Sequence, residues 1–106
     1  MAISTHVLDA TAGRPAAGLG LTLSYRPRRG LAWRTLSRRV TGKDGRVAGL
    51  DAPEPGDYRI VFDTGSYQPE GFYPEVAVTF RVTDPDGHYH VPLLLSPFSY
   101  STYRGS

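Results

Sequence analysis

Histidine is the side chain best suited to moving protons near neutral pH, and the sequence holds three: His6, His88 and His90. His6 lies in Ile3-Ser4-Thr5-His6-Val7-Leu8-Asp9. In an extended strand Ile3, Thr5 and Val7 face one way, and Ser4, His6 and Leu8 the other. His90 lies in His88-Tyr89-His90-Val91-Pro92-Leu93-Leu94-Leu95, where Tyr89, Val91, Leu93 and Leu95 make the more apolar face. If both apolar faces enter a core, His6 and His90 project outward beside Leu8 and Leu94. Were the two strands neighbours, that surface would suit coverage by another subunit. Taken singly, a histidine on a strand is more often a surface or hydrogen-bonded residue than a catalyst. His88 and His90 share a face, a spacing open to a metal pair, but no third His, Cys or carboxylate joins them and no metal site is expected. Ser96, Ser99 and Ser101 lack a neighbouring base in the sequence, so a covalent intermediate is not expected.

Strands must position these side chains, because nine prolines and twelve glycines leave little room for long helices. Period-two alternation recurs along the chain. Leu19, Leu21, Leu23 and Tyr25 share one face of a strand, as do Tyr58, Ile60 and Phe62 of another, and Val76, Val78, Phe80 and Val82 of a third. Residues 31–40 open with Leu31 and Trp33 on one face and then switch to Leu36 and Val40, which predicts a bulge or bend. Turn chemistry separates the runs at Pro27–Gly30, Gly42–Gly45, Pro53–Gly56 and Asp84–Gly87. Asp63–Gly71 has room for a short helix capped by Asp63 or Thr64. Seven or eight strands at this spacing predict an all-β, antiparallel β-sandwich.

A chain of 106 residues is expected to form one domain, residues 1–106. The absence of cysteine excludes disulfides, thiol nucleophiles and Cys-type zinc sites. No apolar run approaches the ~20 residues that cross a bilayer. Met1–Leu8 lacks the basic-then-apolar pattern of a secretory leader, and Arg104-Gly105-Ser106 is no peroxisomal address, so a cytoplasmic protein is expected. The net charge of +2 conceals an asymmetry. Residues 1–46 carry nine Lys/Arg against two Asp, whereas residues 47–106 carry three Arg against eight Asp/Glu. The densest basic stretch, Arg26 to Arg39, reads as an exposed strand face kept unsticky by charge. No aromatics alternate with it as a base-stacking platform requires, so neither nucleic-acid nor membrane partners are expected.

Several blocks together resemble the 5-hydroxyisourate hydrolases, the transthyretin-like enzymes of urate breakdown. They are Ser4-Thr5-His6-Val7-Leu8-Asp9, Gly13-Arg14-Pro15-Ala16-Ala17-Gly18-Leu19, Asp44-Gly45-Arg46, Phe72-Tyr73-Pro74-Glu75-Val76, and the closing stretch from His88 to Tyr103-Arg104-Gly105-Ser106. The resemblance implies a transthyretin-like sandwich of two four-stranded sheets with one short helix. It also implies a homotetramer, a dimer of dimers with active sites in the channel between dimers.

The implied reaction opens the six-membered ring of 5-hydroxyisourate by hydrolysis of an amide C–N bond, without a cofactor. The resemblance carries His6, Arg46 and His90 over as catalytic residues. It assigns His6, Arg46, Tyr103, Arg104, Gly105 and Ser106 to substrate binding. His90, rather than His88, occupies the catalytic position, and the division of acid and base between His6 and His90 stays open. Arg104 reads as pocket wall or as a salt link to a nearby carboxylate. Gly105 is expected to permit a turn or a close approach. The competing function is a non-enzymatic carrier holding a small aromatic ligand in the same channel.

Overall fold

The computed structural model describes residues 2–106. Its elements are β1 (Ala2–Asp9), β2 (Arg14–Pro15), β3 (Gly20–Arg26), β4 (Arg34–Val40), β5 (Arg46–Asp51), β6 (Gly56–Phe62), α1 (Thr64–Tyr67), β7 (Val76–Val82), β8 (Tyr89–Leu95) and β9 (Tyr100–Thr102). Two sheets form the expected sandwich. One runs β4-β3-β6-β7, antiparallel throughout. The other runs β2-β1-β8-β9, with β5 also on β1. Because β2 pairs with Leu8 and Asp9 and β5 with Ala2 to His6, the two share one edge of β1. That sheet is therefore five strands in four columns.

One pairing departs from the antiparallel expectation: β1 and β8 run parallel, with Ser4 opposite His90 and His6 opposite Pro92. Parallel neighbours need a long crossover, and here the intervening chain builds the whole second sheet. The core takes the faces that the alternation predicts. Ile3, Val7, Leu23, Tyr58, Ile60, Phe62, Leu93 and Leu95 are fully buried between the sheets. Burial at roughly 25 cal/mol per Å² of apolar surface is the main force holding the layers together.

The predicted irregularity in residues 31–40 is present, with a different start. The strand begins at Arg34, so Leu31 and Trp33 lie before it. Trp33 is held instead between two guanidiniums, Arg26 at 4.3 Å and Arg59 at 4.2 Å from the ring centroid. The register then slips between Leu23 and Ser24, which leaves Leu36 as the extra residue of a bulge. Asp63 caps α1 by accepting from the Ser66 amide, as expected. Among the described residues, no helix is long and apolar enough to cross a membrane.

Candidate active site

Directly paired residues in a ladder share a face, so the register assembles the site. On the outer face of the first sheet, Arg46 of β5 lies opposite His6 of β1, and Ser4 of β1 opposite His90 of β8. A bridge then joins His90 to Gly105. Arg46, His6 and His90, separated by up to 84 positions in the chain, thus come from three adjacent strands onto one face. Their inward neighbours Thr5, Val47 and Val91 are buried and fix the strands in depth. Leu8 and Leu94, paired in the same ladder, flank the histidines and are half-buried.

The turn before β5 fixes the His6 ring. His6 Nε2 lies 2.8 Å from the Asp44 carbonyl oxygen. A carbonyl can only accept, so Nε2 carries the hydrogen and Nδ1 is left facing outward. The Asp44 carboxylate in turn accepts from the Arg46 amide at 3.0 Å, and the Gly45 carbonyl accepts from the Val7 amide at 2.8 Å. Gly45 has φ +76°, and a Cβ there would collide with the Val7 carbonyl. Glycine is what lets this turn lie against β1.

His90 is held from the other side. Its Nδ1 is 2.8 Å from the Ser4 hydroxyl, whose oxygen is also 3.3 Å from His88 Nε2. Burial pushes the His90 pKa below the ordinary 6.5, and the neighbouring Arg46, His88 and His6 push the same way. The neutral ring is therefore favoured. Among the described residues, no three His, Cys, Asp or Glu side chains group as metal ligands.

The closing segment approaches His90 closely. The Gly105 amide donates to the His90 carbonyl at 2.8 Å, and a Cβ on Gly105 would sit 2.5 Å from His90 Cδ2. The glycine serves close approach rather than a turn. Among the described residues, Arg104 does not link to a carboxylate. Its guanidinium lies 4.7 Å from the Tyr89 ring centroid and donates to the His88 carbonyl at 3.4 Å. Together with Tyr103 it lines a cavity of about 270 Å³ that also touches Val78, Phe80 and His90. So His6, Arg46, His90 and Gly105 converge on one sheet face, while Tyr103 and Arg104 border a hollow shared with His90. Ser106 is exposed beyond the bridge. A larger cleft of about 810 Å³, lined by Arg26, Arg28, Arg29 and Arg81, contains none of these residues.

Three contributors were given no role in the site from the sequence, although His88 was weighed there as half of a metal pair. Ser4 shares the outward parity of His6, a signal the alternation contains. His88 has the same parity as His90. Asp44 acts on His6 through its main-chain oxygen, for which the side-chain type gives no sign.

Comparison with known proteins bears on this arrangement. The HIUase/transthyretin family model matches residues 3–105. The chain is 47% identical to the mouse 5-hydroxyisourate hydrolase, over 98% of this chain and 94% of that protein. It is 45% identical to the Arabidopsis thaliana uric acid degradation bifunctional protein TTL, over 98% of this chain but 37% of that longer protein. Among solved structures it resembles Klebsiella pneumoniae 5-hydroxyisourate hydrolase, with a TM-score of 0.85 at 34% identity over 100% of both chains. It equally resembles sea bream transthyretin solved with thyroxine, with a TM-score of 0.88 at 32% identity over 97% of this chain and 93% of that one.

Proposed function

The chain belongs to the HIUase/transthyretin family, and from that premise we propose that it hydrolyses 5-hydroxyisourate to 2-oxo-4-hydroxy-4-carboxy-5-ureidoimidazoline in urate degradation. The observation that carries this is the meeting of His6, Arg46 and His90 on one face of the first sheet. Two imidazoles and a guanidinium suffice for hydrolysis of a cyclic amide.

Water is a weak nucleophile at neutral pH, so a neutral imidazole within hydrogen-bond reach takes its proton as it attacks the ring carbonyl. His90, held neutral, is suited to that role. Negative charge then gathers on the carbonyl oxygen, where the planar donor fork of Arg46 stabilises it. The leaving ring nitrogen takes back the proton that His90 received from water, while His6, its Nε2–H committed to the Asp44 carbonyl, offers Nδ1 as a hydrogen-bond acceptor to the substrate. Tyr103 orients the flat substrate, while Arg104, Gly105 and Ser106 form the wall.

The working molecule is a homotetramer, a dimer of dimers, with the histidine face lining the channel between dimers. The half-buried Leu8 and Leu94 beside His6 and His90 support this, since they give that face apolar contact surface.

The test follows the spectrophotometric decay of freshly generated 5-hydroxyisourate. The wild-type protein is expected to accelerate it, and His6→Ala, His90→Ala and Arg46→Ala each to lose roughly 10²–10⁴-fold. Decay no faster than buffer with folded wild-type protein ends the reading. The similarity to the thyroxine-bound transthyretin keeps a carrier as the second reading. Tight calorimetric binding of thyroxine without hydrolysis would establish it instead.

A further inference from the structure

The Ser4 hydroxyl sits between two imidazole nitrogens, 2.8 Å from His90 Nδ1 and 3.3 Å from His88 Nε2. A hydroxyl has one hydrogen to give. If both contacts are hydrogen bonds, at least one ring nitrogen must donate to Oγ, and the two rings cannot both be acceptors. Ser4 therefore couples the tautomer of His90 to the state of His88. Register puts Ser4 of β1 directly opposite His90. The reaction described above uses neither Ser4 nor His88.

We propose that Ser4 is a positioning residue that accepts from His90 Nδ1–H and donates its own hydrogen to His88 Nε2, so that His90 presents an unprotonated Nε2 to the attacking water. The array then runs in one direction, His90 Nδ1–H to Ser4 Oγ–H to His88 Nε2. The contact to His90 is the shorter of the two. His88 is exposed, so its remaining nitrogen stays free to exchange with solvent. In the reaction His90 Nε2 gains the water proton while Nδ1 keeps its hydrogen on Ser4. The resulting imidazolium makes a charge-assisted hydrogen bond to the hydroxyl, stronger than the neutral one it replaces. At this step the water O–H bond breaks, a bond forms from its oxygen to the ring carbonyl carbon, and the carbonyl π pair moves onto the carbonyl oxygen. The arrangement also separates the roles of the two catalytic rings. His6 is anchored through Nε2 to a carbonyl, and His90 through Nδ1 to a hydroxyl.

The inference rests on the hydrolase reading for its catalytic consequence and not for its structural content, so two readouts are needed. The first is nitrogen-15 NMR of the histidine rings at a pH where His90 is neutral. The wild-type protein is expected to show His90 protonated at Nδ1 with an unprotonated Nε2. Both Ser4→Ala and His88→Phe should add the opposite tautomer. The first variant removes the acceptor, and the second frees the serine hydrogen to turn toward His90. The second readout is steady-state hydrolysis. Ser4→Ala is expected to lower kcat about tenfold or more with KM within about twofold, and Ser4→Thr to recover most of the loss. A wild-type His90 protonated at Nε2, or a Ser4→Ala variant with an unaltered tautomer and unaltered kcat, overturns the proposal. A wild-type protein that shows the expected tautomer but does not hydrolyse 5-hydroxyisourate sinks the hydrolase reading and leaves the positioning by Ser4 standing.

Discussion

At the scale of single residues, the proton chemistry depends on what surrounds each ring. His90 is depressed below 6.5 first by burial and then by the positive charge of Arg46. The carbon-bound ring protons of His90 should therefore titrate by NMR below 6.5, and Arg46→Gln should move the midpoint upward. An unchanged midpoint would mean that Arg46 does not act on the ring. The same shift fixes the sign of a stability effect. Between the lowered value and 6.5 the unfolded chain binds more protons than the folded one, so stability rises with pH across that window. What the neutral His90 contributes is present above 6.5 and is lost as acid titrates the folded ring. Gly105 offers a separate test. Alanine there would push against the His90 ring from an exposed closing segment. Gly105→Ala is expected to lose about 10²-fold in kcat, the scale of a 1 Å misplacement, with Tm nearly unchanged. His6 and His90 were legible in the sequence because a period of two fixes which side of a strand each must face. Asp44 was not, because a carbonyl oxygen looks the same in every residue.

At the scale of elements, the turn from Gly42 to Gly45 both joins β5 to β1 and sets the His6 ring. Gly45→Ala combines a left-handed φ with a collision against the Val7 carbonyl, so no local adjustment accommodates it. Strain of this kind costs about 1–3 kcal/mol. Urea unfolding should register that loss together with reduced hydrolysis, in contrast to Gly105→Ala, which should affect hydrolysis alone. A Gly45→Ala protein as stable as wild type would show that the turn does not pin β5. The half-buried strands β3, β6 and β7 were readable because each keeps one apolar face over its whole length. β4 was readable only in part, since Trp33 answers to the arginines of β3 and β6 rather than to its own alternation. The parallel pairing of β1 with β8 was not readable, because alternation specifies a face and leaves the partner and direction open.

At the scale of the whole molecule, the charge asymmetry and the histidine face separate in space. Arg26 is tied to Asp57 at 3.0 Å and stacks on Trp33, so part of the basic stretch is spent on the second sheet's own structure. The catalytic candidates lie on the first sheet, where a flat face alone would leave them in water. In bulk water the attraction between a guanidinium and a developing oxyanion at 4 Å is about 1 kcal/mol, against about 4 kcal/mol at the lower effective dielectric near a protein surface. Hydrolysis at this face therefore gains from an enclosing wall, which a second copy of the same face would supply in the proposed tetramer. Leu94 lies in the same ladder with its side chain on that face, four residues from His90 and outside the proton chemistry. Leu94→Glu should leave the far-ultraviolet circular dichroism of the β-sandwich intact, because it faces away from the core that Leu93 and Leu95 fill. Sedimentation should show the proposed tetramer replaced by smaller species, as repulsion between introduced carboxylates adds to the lost apolar contact. Hydrolysis should fall with the tetramer, and raising the protein concentration should restore both together. Smaller species that turn over 5-hydroxyisourate at the wild-type rate would mean that one sheet face excludes water by itself and that assembly plays no part in the chemistry.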